Sequence, residues 1–215
     1  MREEIDVANL RRLYGRFELD SDELDPDPMS QVASWLADAV AAGLREANAM
    51  VLATSDRAGI PSARTVLLKG IGREGITFYT NYSSRKAREL DANPHAAVVL
   101  AWLSLERQVR ISGTVERLPA EESDAYFASR PRGSQLGAWA SDQSSPIPDR
   151  KTLEASMEEV QRRFGDAVIP RPPHWGGYRL EPLTVELWQG RADRLHDRFE
   201  YQRAGDGWTV ERLSP

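Results

Sequence analysis

Residues 69–81 read KGIGREGITFYTN, and the fold class turns on how the glycines are read. Gly70, Gly72 and Gly75 match G-x-G-x-x-G and follow the strand-like run RTVLL, which is the layout of a dinucleotide-binding turn. Such a turn must open a helix, because the helix N-terminus holds the pyrophosphate. Here ITFYTN follows, rich in β-branched and aromatic residues. The spacing therefore predicts a hairpin and excludes a Rossmann unit.

Working outward, strand patterns recur on both sides. AMVLATSD (49–56), SARTVLLKGI (62–71) and ITFYTN (76–81) are short β-rich runs joined by RAG and GREG turns. SSRKARELDAN (83–93) reads as a helix stopped by Asn93-Pro94, after which HAAVVLAW (95–102) and QVRISGTVERL (108–118) resume the strand pattern. Helical patterns occupy 120–129 and about 150–164, and strands at 176–189, 194–203 and 208–213 close the chain, with AGDG as a hairpin turn. Ahead of all this, Met29, Val32, Leu36, Val40 and Leu44 mark an amphipathic helix from Pro28 to Glu46. Most early connections are too short for a parallel crossover. The expected fold is mainly β with flanking helices (α+β), an antiparallel barrel with helices packed outside. One domain is expected over 28–215, behind a charged, mobile arm at 1–27 with a short helix around Leu10–Tyr14.

Composition narrows the function. The 215 residues carry a formal net charge of −5, which argues against a general binder of nucleic acid or anionic membranes. No apolar run approaches the ~20 residues of a bilayer span. The opening MREEIDVANLRRLY lacks the apolar core of a secretory signal, and a cytoplasmic protein is expected. With no cysteine there is no disulfide, thiolate metal site or cysteine nucleophile. The three histidines, His95, His174 and His196, have no i,i+4 partners, so no metal ligand set is expected.

Basic residues nevertheless cluster locally. Ser83 or Ser84 is a natural N-cap, which puts Arg85 and Lys86 in a first helical turn, where cations oppose the dipole but suit a bound phosphate. RTVLLK (64–69) brackets a strand with Arg64 and Lys69, whose opposite parity prevents a regular strand from aiming both at one ligand. Tyr126 and Arg130 lie four apart, and Pro131 breaks the helix so that Ser134 follows within a turn; hydroxyl, guanidinium and hydroxyl suit a phosphate monoester. In WQGRADRLHDRFEY (188–201) an extended chain would put Arg194, His196 and Arg198 on one face and Leu195, Asp197 and Phe199 on the other. Each cluster also has a plain structural reading. Several of them in an acidic chain point to more than one phosphate-bearing ligand.

The segments RTVLLKG, FYTNYSSRKARELDANP, RQVRISGTVE, YFASRPRGSQLGAWASDQSS, PPHWGGYRL and WQGRADRLHDRFEYQR, in this order, closely resemble the pyridoxine/pyridoxamine 5′-phosphate oxidase family from about Met29 to Pro215. The resemblance implies an FMN-binding split barrel and a homodimer with flavin at the interface. It implies oxidation of pyridoxine 5′-phosphate or pyridoxamine 5′-phosphate to pyridoxal 5′-phosphate, with hydride passing to flavin N5 and O2 reduced to H2O2. The FMN contacts it implies are Arg64, Lys69, Tyr79, Thr80, Arg85, Lys86, Gln108, Gln143, Ser144, Trp188 and Arg198. Around the substrate it implies Lys69, Tyr126, Arg130 and Ser134 at the phosphate, and Arg194 and His196 as catalytic residues at the ring. LRRLY resembles a segment that can cover the substrate, and ELWQG stands where EFWQG is more familiar. The rivals are a split-barrel flavin or deazaflavin reductase, which should lack YFASRP and RLHDR, and a non-enzymatic flavin or pyridoxal-phosphate carrier.

Overall fold

A computed structural model describes residues 14–215, so the helix expected around Leu10–Tyr14 lies almost wholly outside the described residues. Nine strands and five α-helices are seen among them: α1 (Pro28–Ala41), β1 (Ala49–Ser55), β2 (Pro61–Leu67), β3 (Gly70–Gly72), β4 (Gly75–Asn81), α2 (Arg85–Ala92), β5 (His95–Trp102), β6 (Arg107–Arg117), α3 (Ala120–Ser129), α4 (Arg132–Ala140), α5 (Arg150–Phe164), β7 (Trp175–Gln189), β8 (Asp197–Ala204) and β9 (Gly207–Arg212). The hydrogen-bonded strand order is β2-β1-β5-β6-β7-β4-β3, with β8 on β7 and β9 on β8. The mainly β, antiparallel class with flanking helices expected from sequence is what forms. The chain divides into two compact units, Asn48–Val99 with Ile111–Leu183, and residues through Ala47 with Leu100–Arg110 and Thr184–Pro215.

In the first unit the G-x-G-x-x-G stretch is a hairpin, with Gly70 opposite Thr77, Ile71 opposite Ile76 and Gly72 opposite Gly75. Gly75 has φ +125°, and a Cβ there would overlap the carbonyl of Leu180 on the neighbouring strand. Side chains alternate along these strands, so Met50, Leu52, Ile76, Phe78, Val98, Ile111, Tyr178 and Leu180 are all buried. Phe78 and Tyr178 stack at 5.5 Å within this core. A second cluster of Phe127, Leu136, Ile169 and Trp175, backed by Met157, Val160 and Phe164, holds the helices α3, α4 and α5. The sequence reading had only a break at Pro131, but a new helix, α4, starts there: Pro131 sits at its N-cap with φ −53°, and burial of Leu136 offsets its two glycines.

In the other unit α1 starts as expected, with Asp27 capping Met29 N and Pro28 in the first turn. It ends at Ala41 rather than Glu46. Gly43, at φ +71°, closes a Schellman motif in which Gly43 N–H bonds to Val40 O and Leu44 N–H to Ala39 O. Its buried face carries Met29, Val32, Trp35 and Ala39. β7, β8 and β9 form a meander in register from Thr184 opposite Gln202 to Ala204 opposite Gly207. Part of the segment before α1 is also fastened here: Leu19 is buried, Gly15 N–H bonds to Glu106 at 2.9 Å, and Tyr201 Oη donates to Asp25 O at 2.9 Å.

Candidate functional site

One cavity of about 600 Å³ lies within the unit that contains α2 to α5. β2 supplies Thr65, Val66 and Leu67, and Lys69 follows just past the strand end. β4 adds Tyr79 and Thr80, and the first turn of α2 adds Lys86. Tyr126 comes from α3, Arg130 from its C-cap, Ser134 from α4, Gln143 from the loop beyond, and Trp175 from the start of β7. Among the described residues the lining thus holds three cationic side chains, Lys69, Lys86 and Arg130, and no carboxylate.

Local hydrogen bonds fix these groups. Ser84 caps α2 through Ala87 N–H, and Lys86 Nζ donates to Thr80 Oγ1 at 3.1 Å and Gln143 Oε1 at 2.9 Å. Burial, and then the nearby Arg64 guanidinium, push the Lys86 pKa down to about 8. The backbone N–H of Arg85 meets Ser144 Oγ at 3.2 Å. Across the cavity Tyr79 and Tyr126 stack at 3.8 Å, and Tyr79 also stacks on Trp175 at 5.5 Å. The Arg130 guanidinium lies 4.6 Å from the Trp175 ring centre, a cation–π contact that holds it in place while its Nη1 is buried with no hydrogen-bond partner among the described residues. An arginine that lines a pocket without carboxylates and has a nitrogen left unsatisfied suits an anion.

Not every predicted residue enters this cavity. Arg64 is turned into a network with the Leu52 carbonyl, Thr54, Ser62 and Glu89, and the Arg85 side chain pairs with Glu89 at 2.8 Å. β2 stops at Leu67, so strand alternation does not carry through to Lys69, which lines the cavity while Arg64 does not. Two residues were missed by sequence reading. Trp175 stood inside the quoted motif PPHWGGYRL without a role, and Glu89 was signalled only by its i,i+4 spacing from Arg85.

The second group lies in the other unit. Trp188 is on β7, Arg198 on β8 and the half-buried Gln108 on β6. Arg198 is held by Glu186 at 3.0 Å and the Ser214 carbonyl at 2.8 Å, and buried Glu186 also pairs with Arg110. The single-face row of Arg194, His196 and Arg198 is not what forms. Ala192–Arg194 is a 3-10 turn in which Asp193 and Arg194 take φ +54° and +64°, and β8 starts only at Asp197. Leu195 is accordingly 70% exposed while Asp197 and Phe199 are buried. Asp197 accepts from Arg191 Nη1 at 3.0 Å, Arg212 Nη1 at 2.9 Å and Leu19 N–H at 3.2 Å. His196 packs 4.5 Å from Trp188, with Tyr14, the last residue of LRRLY, edge-on to both rings at 5.9 Å. Its Nδ1 accepts the Arg191 backbone N–H at 3.0 Å, and burial, then Arg194, lower its pKa below 6.5 against the opposing Asp197. His196 is therefore a neutral imidazole whose free nitrogen, Nε2, carries the proton.

Both groups lie in stretches of the chain that match known family models. Residues 36–164 match the family model described as pyridoxamine 5′-phosphate oxidase, and residues 175–215 match the one described as the pyridoxine 5′-phosphate oxidase C-terminal dimerisation region. A protein of Rubrobacter xylanophilus named pyridoxine/pyridoxamine 5′-phosphate oxidase is 57% identical over 210 residues, covering 98% of this chain and 97% of its own. The chain belongs to the pyridoxine/pyridoxamine 5′-phosphate oxidase family. A second member of this oxidase family, from Ralstonia nicotianae, is 56% identical over 97% of this chain and 99% of its own. Among solved structures, PhzG of Burkholderia lata, in complex with tetrahydrophenazine-1-carboxylic acid, has 35% identity and a TM-score of 0.88, covering 94% of this chain and 99% of that one. A pyridoxamine 5′-phosphate oxidase-related, FMN binding protein of Nostoc punctiforme, at 19% identity, shares the fold with a TM-score of 0.71 over 89% of this chain and 100% of its own. The split-barrel class is therefore borne out, and FMN is the cofactor of this oxidase family member. The carboxylate-free cavity, its stacked aromatic wall and the unpartnered Arg130 nitrogen fit phosphate-bearing aromatic ligands such as FMN.

Proposed function

We propose that this chain catalyses the oxidation of pyridoxine 5′-phosphate or pyridoxamine 5′-phosphate to pyridoxal 5′-phosphate, with O2 reduced to H2O2. The observation that carries this reading is the meeting of Tyr126, Arg130 and Ser134 with Lys69 in one cavity without a carboxylate. That set offers hydroxyl, guanidinium and ammonium donors to a phosphate monoester, and each charge-assisted bond is worth about 1.5–3 kcal/mol net.

Within this reading the substrate phosphate is anchored by Lys69, Tyr126, Arg130 and Ser134, and the pyridine end is met by Arg194 and by His196 through Nε2–H. FMN is held at its phosphate by Arg64, Arg85, Lys86 and Ser144, with Lys69, Tyr79, Thr80, Gln108, Gln143, Trp188 and Arg198 completing its contacts. Bound FMN supplies the two-electron acceptor and the route to O2. The protein's task is then positioning: fixing the phosphate at one end and the ring at the other holds the C4′ carbon in one place. The chain acts as a homodimer with flavin at the subunit interface, a reading supported by the match to a dimerisation region. Location in the cytoplasm belongs to the same proposal.

The likeness to PhzG favours a second reading, an FMN enzyme acting on a tricyclic carboxylate. Relatives at 54–57% identity carry the pyridoxine/pyridoxamine name and weigh for the first. The test is to purify the protein, identify the released flavin, and measure H2O2 formed in air with pyridoxine 5′-phosphate, pyridoxamine 5′-phosphate or tetrahydrophenazine-1-carboxylic acid. Turnover of the phosphates supports the first reading; turnover of only the carboxylate overturns it.

A further inference from the structure

Glu89, on α2, is 6% exposed and is not part of the cavity lining. Its Oε2 accepts from Thr54 Oγ1 at 2.5 Å, Ser62 Oγ at 2.5 Å and Arg64 Nη2 at 3.2 Å, and its Oε1 accepts from Arg85 Nε at 2.8 Å. The two hydroxyls act as relays, because Arg64 also donates to Thr54 Oγ1 and to Ser62 Oγ. Burial alone would raise the Glu89 pKa, but hydrogen bonds from Ser62, Thr54, Arg85 and Arg64 overcome it and hold the carboxylate at about 2. Glu89 is thus ionised throughout the neutral range. Only a carboxylate has enough lone pairs to accept from four donors; a glutamine offers one oxygen and adds two donors of its own.

The two arginines given to the flavin phosphate therefore converge on a single buried anion, while the adjacent Lys86 has, among the described residues, only hydroxyl and amide partners. A guanidinium already bound on one edge has its remaining N–H groups set in direction. We propose that Glu89 is the positioning residue of the FMN phosphate site, orienting Arg64 and Arg85 and setting the preference of the protein for a phosphorylated flavin. This rests on the reading that Arg64, Arg85 and Lys86 meet that phosphate. Electrostatics alone would give the opposite sign, since removing a negative charge beside the cations favours a bound dianion.

The test compares the affinities of the flavin-free full chain for FMN and for riboflavin, which lacks the phosphate, by quenching of flavin fluorescence. Glu89→Gln is expected to weaken FMN by about 10-fold or more, as loss of an orienting outer partner does elsewhere, with riboflavin affinity unchanged. Ser62→Ala, at a half-buried strand position, should shift the same ratio in the same direction by less, and it carries the test should Glu89→Gln not fold. Equal weakening of both flavins, an unchanged ratio or tighter FMN binding would overturn the proposal. Lys86→Ala separates the two levels. If it lowers the FMN-to-riboflavin preference while the Glu89 and Ser62 variants do not, the phosphate site stands and the role of Glu89 falls. If it leaves the preference intact as well, the phosphate reading fails and the proposal with it.

Discussion

The imidazole Nδ1 of His196 accepts the backbone N–H of Arg191 at 3.0 Å, so the neutral ring presents its proton at Nε2. Protonation of Nδ1 would break that bond. Burial and then Arg194 disfavour the charged ring, placing its pKa below 6.5. For oxidation of pyridoxine 5′-phosphate, kcat/KM should not depend on this group at neutral pH and should fall as pH drops through the lowered pKa. Comparing pH profiles of wild type and His196→Asn checks this, since the substrate phosphate, which titrates near ~6, affects both alike. An acid limb identical in the two proteins would remove His196 from the site.

Arg130→Ala should act on substrate rather than flavin. The side chain lines the cavity, and losing a charge-assisted contact of ~1.5–3 kcal/mol corresponds to about a 10- to 150-fold rise in KM. Flavin content per chain, measured from absorbance, should equal that of wild type. Loss of flavin with normal KM would contradict the assignment.

Lys86 is expected to make FMN binding pH-dependent. A lysine whose folded pKa is about 8 against 10.5 unfolded binds fewer protons when folded within that window, so its contribution to flavin-free stability rises with pH there. A phosphate beside it favours the ammonium, so binding takes up a proton and FMN affinity should fall as pH rises above about 8. The two trends have opposite signs. Titrations of FMN at several pH values, with Lys86→Met as the reference, test them; the variant should bind more weakly near neutrality and lose the alkaline slope.

The hairpin glycines differ in what they tolerate. Gly75→Ala forces a left-handed φ of +125° on alanine and drives its Cβ into the Leu180 carbonyl, so a loss of about 2 kcal/mol or more is expected. Gly72→Ala meets nothing within 4 Å and should cost under ~1 kcal/mol. Urea midpoints at unchanged m-value measure both.

Periodicity made the strands and α2 legible, with a serine cap at Ser83 or Ser84 that the structure assigns to Ser84, because alternation and capping are local properties of a few adjacent residues. The same local reasoning misplaced Arg194 and His196. Parity presupposes an extended chain, and the left-handed Asp193 and Arg194 break it with no glycine to announce the turn. Likewise α4 was hidden, since its glycines and serine argue against a helix that packing of Leu136 then stabilises.

From the order of residues alone came the antiparallel class, the hairpin at Gly70–Gly75, the basic clusters and the resemblance that names FMN and two phosphorylated substrates. Tertiary structure alone decided which cations face the cavity and which are held by acids: Lys69, Lys86 and Arg130 line it, while Arg64 and Arg85 are gathered by Glu89. It alone set the His196 tautomer, through a backbone N–H five residues away. The reason is physical. Whether a charge is paired, and in which direction its donors point, depends on the groups that folding brings within about 3 Å, and several of these lie far off in sequence, as Gln143 does for Lys86 and Thr54 and Arg64 do for Glu89.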